Sequence, residues 1–155
     1  MTAMQPDNPL RIMLVDDEPL ARSRLRTLLG DCNDPAVHVA AEAPNAEVAA
    51  PLLREHPVDV VLLDIRMPGD SGLKLASTLR SLQSPPAIVF VTAHAEHAVA
   101  AFDLEAVDYL TKPVRLERLQ LALQKAERYV QANRGLQANL ATEEVLVIQE
   151  RNRTE

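Results

Sequence analysis

The stretch VVLLDIRMPGDSG, residues 60–72, sets four consecutive apolar residues against a carboxylate, Asp64, and then against a Pro/Gly loop. Four apolar residues without alternation suit a strand covered on both faces. A strand that runs into a carboxylate has two readings. Asp64 is either a polar strand end or helix cap, or a chemical group held at the carboxyl edge of a sheet. One acidic strand end decides nothing, so the rest of the chain has to choose.

Outward from this stretch the same alternation recurs. Residues 1–9 are polar, contain two prolines and read as a loose leader. RIMLV (11–15) is a short apolar strand, and in the DDEPL that follows, Pro19 opens a helix. Leu20, Arg24, Leu25, Leu28 and Leu29 line that helix, and Gly30 reads as its stop. VHVAAEA (37–43) is a second strand. Asn45 then caps a helix to about residue 56, in which Pro51 predicts a late first turn or a kink. VDVVLL (58–63) is the third strand, followed by a helix over about 71–82 and a fourth strand AIVFV (87–91). EHAVAAFD forms a short helix, and AVDYL (106–110) a fifth strand. The last helix, about 115–133, carries Leu116, Leu119, Leu123, Ala126 and Val130 at heptad spacing, with Gly135 as terminator.

Strands alternating with helices specify an α/β fold, a parallel sheet wrapped on both faces. Right-handed crossovers leave few topologies. The expected architecture is the flavodoxin-like doubly wound (βα)5 domain with strand order 2-1-3-4-5, whose strand ends share one ligand-binding edge.

Composition bounds the function. The 155 residues fit one domain, and 47% hydrophobic content with 3% aromatics predicts an aliphatic core. Cys32 is the single cysteine and reads as an inert thiol in a reducing compartment. No apolar run reaches 18 residues and no signal pattern opens the chain, so a soluble, cytoplasmic protein without a membrane partner is expected. A net charge of −6 has the wrong sign for gripping nucleic acid.

The residues that follow the strands complete the pattern. Asp16, Asp17 and Glu18 follow the first, Asp64 the third, Thr92 the fourth, and Lys112 lies just past the fifth. Crowded carboxylates repel one another and recruit a cation. Mg2+ suits them, because it takes one or two carboxylates together with a phosphate oxygen. A lysine offsets anionic charge, and a threonine hydroxyl donates to a phosphoryl oxygen. Asp64 is then a nucleophile for phosphoryl transfer, giving an aspartyl phosphate.

LVDDE (14–18), LLDIRMPGDSG (62–72), FVTA (90–93) and DYLTKP (108–113), in this order and spacing, resemble the receiver domain of bacterial two-component response regulators. The resemblance covers about residues 11–129, within a receiver domain spanning 10–134. It implies Asp64 as phosphoacceptor and a Mg2+ site of Asp17 directly, Asp16 through water, Asp64, and the backbone carbonyl of Arg66. It also implies Thr92 as the switch hydroxyl that reads the phosphoryl group, Lys112 as the ion-pair partner of that group, Tyr109 as an aromatic that changes burial, and a cis bond before Pro113. Arg66 and His94 match positions that flank the phosphoryl site and tune its hydrolysis; otherwise they are solvated loop residues. Glu18 is either a third acid of the metal site or a charge favourable to the helix dipole. His38, His56 and His97 lack metal spacing.

AFDLEAVDYLTKPVRLERL (101–119) is similar to receivers that precede a LytTR-type DNA-binding domain, as in alginate-regulator-like proteins. Residues 135–155 then read as a linker and the truncated start of that domain, through VLVI (145–148), or as a charged tail. The implied function is a switch phosphorylated by a sensor histidine kinase, self-catalysed rather than a turnover enzyme, controlling transcription through DNA bound by the further domain. The alternative is a stand-alone phosphorelay receiver. An aspartate-nucleophile phosphatase of the haloacid-dehalogenase type would need a second Asp where Arg66 stands. The last helix is longer than a five-residue strand needs for cover, so Tyr129, Val130 and Ala132 are expected to project past the sheet, and a homodimer is expected on activation.

Overall fold

Strands apolar at every position cannot face water on either side, and they belong in the middle of a parallel sheet. The computed structural model describes residues 9–69 and 71–134. Its elements are β1 (Leu10–Val15), α1 (Pro19–Gly30), β2 (Val37–Ala43), α2 (Ala46–Glu55), β3 (Val60–Leu63), α3 (Gly72–Arg80), β4 (Ala87–Thr92), α4 (Ala98–Asp103) and β5 (Asp108–Thr111). A turn of 3-10 helix, Ala95–His97, leads into α4, and α5 occupies 116–134. The strands are all parallel and ordered β2-β1-β3-β4-β5, so the flavodoxin-like expectation holds. Among the described residues, no helix is long and apolar enough to cross a membrane.

Successive side chains of a strand point to opposite faces, and this divides the core into two layers. Ile12, Leu14, Val60, Leu62, Val89, Val91 and Leu110 pack on α1 and α5. Met13, Val15, Val61, Leu63, Ile88 and Phe90 pack on α2, α3 and α4. Every residue of β3 and β4 is buried. Asn45 and Ser71 each cap a helix, accepting from Val48 N–H at 2.8 Å and Lys74 N–H at 3.3 Å.

Four expectations shift. Gly30 is the last residue of α1 rather than its stop, and Asp31 is the cap. α2 starts at Ala46 and runs through Pro51, so its first turn is not late. β3 starts at Val60, and Asp59 just before it accepts the Arg11 N–H on its carboxylate, at 2.9 Å. β5 starts at Asp108 because Glu105, at φ 60°, and Ala106, bonded to Ala101 O at 3.2 Å, belong to the turn that leaves α4.

The heptad stripe of α5 is core. Leu119, Leu123 and Ala126 are fully buried and Val130 is buried, while Leu116 is partly covered. The expected apolar overhang is therefore absent at Val130, and the Tyr129 hydroxyl accepts from Arg80 Nη1 at 2.8 Å. Of Tyr129, Val130 and Ala132, Ala132 alone is exposed. Gly135, the expected linker over 135–155 and the leader over 1–8 lie outside the described residues.

Gly72 fixes the loop after β3. A Cβ there would stand 2.0 Å from the carbonyl oxygen of Asp64, and the Gly72 N–H donates to Ile65 O at 2.7 Å. Only a residue without a side chain lets α3 begin against the backbone of Asp64. Gly72→Ala is expected to destabilise the fold by about 3 kcal/mol, through forced backbone displacement. Urea unfolding followed by far-UV circular dichroism measures it; an unchanged midpoint would refute the close approach.

Candidate functional site

Register decides which side chains meet. Val15 pairs with Leu63 across β1 and β3, and the Asp64 N–H donates to Val15 O at 2.9 Å. The Asp16 N–H donates to Ala43 O at 3.1 Å. Asp16 and Asp64 therefore leave the sheet side by side, one residue beyond its last pairs. Asp16, Asp17 and Asp64 each offer an oxygen within 4.8 Å of the others. Asp16 and Asp64 are 2% and 6% exposed, and Asp17 is the most open of the three.

Lys112 reaches this cluster from beyond β5. Its N–H donates to Thr92 O at 2.9 Å, extending the β4–β5 ladder, and its bond to Pro113 is cis. The ammonium donates to Asp16 Oδ2 at 2.8 Å, Glu18 Oε1 at 3.1 Å and Asp64 Oδ2 at 3.2 Å. Burial opposes its charge, but the hydrogen bond to Asp16 and the fields of Asp16 and Asp64 outweigh burial and hold its pKa above the ordinary lysine value. Burial pushes the Asp16 carboxyl up, and Lys112 offsets part of that rise.

The donor set fits a hard divalent cation. Asp64 Oδ1 is buried and has no hydrogen-bond partner among the described residues, although a carboxylate oxygen hidden from water ordinarily has one. Asp16 has both oxygens engaged, Oδ1 by the Glu18 N–H at 2.9 Å and Oδ2 by Lys112, which suits contact with a cation through water. All-oxygen ligation is what Mg2+ selects.

A second group surrounds Thr92. Its side chain is fully buried, and its Oγ1 accepts from the His94 N–H at 3.3 Å. The Tyr109 hydroxyl donates to the His94 carbonyl, and its ring lies 6.2 Å from Phe90, so the tyrosine is half-buried between β4 and α4. Burial raises its phenol pKa. The Arg66 side chain turns away from the carboxylates to Glu96, at 3.5 Å, and His94 Nδ1 is 3.6 Å from the same carboxylate. His97, expected to be unremarkable, holds Nε2 buried without a hydrogen-bond partner. His38 and His56 are remote from the carboxylate cluster, on β2 and just after α2.

Two contributors were not legible as such. Gly72 bears on Asp64 only through the backbone approach described above, although a glycine directly after the Ser71 cap was a usable signal. Glu18 had two readings, and neither included a hydrogen bond to Lys112 across 94 residues of sequence.

Residues 12–124 match the family described as the response regulator receiver domain. The chain is 49% identical over 119 residues to the positive alginate biosynthesis regulatory protein of Pseudomonas aeruginosa, covering 77% of this chain and 48% of that protein. It is 41% identical over 127 residues to the sensory transduction protein LytT of Bacillus subtilis, covering 82% of this chain and 51% of LytT. The chain thus spans about half the length of these curated relatives. The response regulatory domain of protein mrkE from Klebsiella pneumoniae superposes with a TM-score of 0.71 at 33% identity, covering 79% of this chain and 99% of that domain. The similarity to alginate-regulator and LytR/LytT-type regulators agrees with the resemblance carried by residues 101–119.

Asp17→Ala is expected to weaken Mg2+ binding at least tenfold, through loss of the most open carboxylate of the cluster, while stability holds or rises with the relief of repulsion. Calorimetric titration is the measurement, since the chain has no tryptophan. Unchanged affinity would count against the acidic cluster as the metal site.

Proposed function

The chain belongs to the response regulator receiver domain family, and from that premise we propose that it is a phosphorylation-controlled switch with Asp64 as the phosphoacceptor. The observation that carries this reading is the buried, unpartnered Oδ1 of Asp64, beside two further aspartates and within reach of the Lys112 ammonium. In the transfer, an Asp64 oxygen forms a bond to phosphorus as the N–P bond of a phosphohistidine donor breaks. The electron pair stays on the imidazole nitrogen.

Asp17 and Asp64 would hold Mg2+ directly, Asp16 through water, and Arg66 through its carbonyl. The ion, when bound, offsets charge on the phosphoryl oxygens. Lys112 supplies the remaining positive charge and Thr92 a hydroxyl donor. Tyr109 reports the change through its bond to His94, while Arg66 and His94 tune hydrolysis from the rim. Transfer and hydrolysis are self-catalysed, so the domain is a switch and not a turnover enzyme. The phosphoryl group shifts a population of conformers by its differential binding to them.

The donor in this reading is a sensor histidine kinase, the compartment the cytoplasm, and the output regulation of transcription through a DNA-binding segment beyond the receiver. Support for the output comes from the 49% identity to a positive regulatory protein of which this chain spans about half. Two copies pair on activation. Val99 and Phe102 on α4 are 74% and 80% exposed and Leu121 on α5 is 54% exposed, on the two helices that flank edge strand β5.

Wild-type protein with Mg2+ and a small phosphodonor should gain one acid-labile, hydroxylamine-sensitive phosphoryl group, and Asp64→Asn should gain none. Equal labelling of the variant would move the acceptor elsewhere. Sedimentation velocity over a concentration series should show a weak monomer–dimer equilibrium that beryllofluoride shifts toward dimer. Monomer alone in both conditions would remove pairing from the reading.

A further inference from the structure

The Lys112 ammonium has three N–H donors, and three carboxylates lie in hydrogen-bonding range of it: Asp16 at 2.8 Å, Glu18 at 3.1 Å and Asp64 at 3.2 Å. An anionic group arriving on Asp64 cannot gain a donor from Lys112 unless one of these contacts yields. Asp64 is the reacting residue. Asp16 is buried and its other oxygen is fixed by the Glu18 N–H. Glu18 has a side chain 64% exposed on a longer, freer arm, so it is the partner that water can replace at least cost.

Among the described residues, the Glu18 carboxylate has no other hydrogen-bond partner. Glu18 stands at the N-cap of α1 but makes no side-chain cap bond there, so helix capping does not explain where its carboxylate points. Asp16 Oδ1 holds the Glu18 backbone and Pro19 begins the helix immediately after it, which directs the side chain back over the site. We propose that Glu18 is a positioning residue that holds Lys112 in competition with the incoming phosphoryl group, setting the threshold for anion binding at Asp64. This rests on the reading of Asp64 as phosphoacceptor and adds to it the group that the anion must displace.

The charges make the proposal distinctive. Asp16, Asp17, Glu18 and Asp64 face the Lys112 ammonium, with the Arg22 guanidinium on the Asp16 carbonyl, so the site keeps an excess of negative charge and the Glu18 charge helps a divalent cation and hinders an anion. Removing that charge should move the two affinities in opposite directions. A role confined to starting α1 would move them together, or move only the melting temperature.

The test is calorimetric titration of wild type and Glu18→Gln, first with Mg2+ alone and then with beryllofluoride at saturating Mg2+. Gln keeps the shape and loses the charge. Expected are Mg2+ binding weaker and beryllofluoride binding tighter, each on the order of three- to tenfold, with both differences shrinking in high salt. Glu18→Ala should reproduce both signs. Equal affinities in Glu18→Gln and wild type, or shifts in the same direction, would overturn the role of Glu18 and leave Asp64 as acceptor untouched. Wild-type protein that binds Mg2+ but not beryllofluoride would overturn both readings together.

Discussion

A sheet whose central strands end on aspartates needs something to let those aspartates stay side by side, and here it is the ammonium of Lys112. The β1–β3 register forces Asp16 and Asp64 out of the sheet at the same level, with Asp17 adjoining them. Their mutual repulsion is a cost of the fold. Lys112 offsets it from the far side of β4, and it can do so only because β5 pairs with β4 in register and the chain beyond carries the ammonium back over the carboxyl edge. Aliphatic layers on the two faces set the strands, the strands set the carboxylates, and the lysine makes the arrangement tolerable. Truncating it would leave buried negative charge without a partner, the more damaging half of any ion-pair deletion.

How much of this was written locally differs from element to element. Unbroken apolar runs at 60–63 and 87–91 announced buried parallel strands, and Asn45 marked a helix start with a side chain that does cap, whereas Ser71, expected as about the first residue of its helix, is the cap before it. Crossover rules left few topologies and the element count matched the flavodoxin-like order, and residues Asp16, Asp17, Asp64 and Lys112 were readable as one cluster because each follows a strand. Boundaries were less accessible. β3 and β5 begin later than expected, after an Asp59 contact with β1 and a positive-φ turn at Glu105, neither of which propensity marks. The length of α5 suggested an apolar overhang. Length alone could not show that α1 and the N-terminal end of β1 extend the apolar bed far enough to bury Val130 beside Leu10, Leu29 and Cys32.

Side-chain partners distant in sequence were the least legible part. Heptad spacing in α5 placed a stripe, but nothing local said that Arg118 would donate twice to Asp108, at 2.8 Å from each nitrogen, with Lys125 adding a third contact at 3.3 Å. That pairing pins α5 to edge strand β5; burial pushes the Asp108 carboxyl up, but Arg118, the Tyr109 N–H and Lys125 together outweigh it and hold the carboxyl below its usual pKa. Edge strands expose unpaired backbone groups, and a charged clamp on such a strand limits wrong pairing.

The two ends of the sheet differ in how completely their polar groups are satisfied, and this bears on where the domain can switch. At the amino end, Asp59 accepts from the Arg11 backbone and from Arg134 at 2.7 Å, and Arg80 joins Glu105 to Tyr129. At the carboxyl edge lie both of the buried side-chain atoms that lack hydrogen-bond partners among the described residues, Asp64 Oδ1 and His97 Nε2, the latter 4.0 Å from the Glu96 carboxylate. Unsatisfied buried groups cost stability, and natural folds keep such costs mainly where function needs them. A ligand can move a two-state equilibrium only by interactions that differ between the states. Well-paired groups at the amino end have little left to gain, whereas the carboxyl edge holds an oxygen and an imidazole nitrogen without hydrogen-bond partners, beside an ammonium whose three contacts can be exchanged for others. In the proposed switch, the groups with most to gain from a ligand therefore lie on the carboxyl edge, the side of the sheet where the phosphoryl group would arrive.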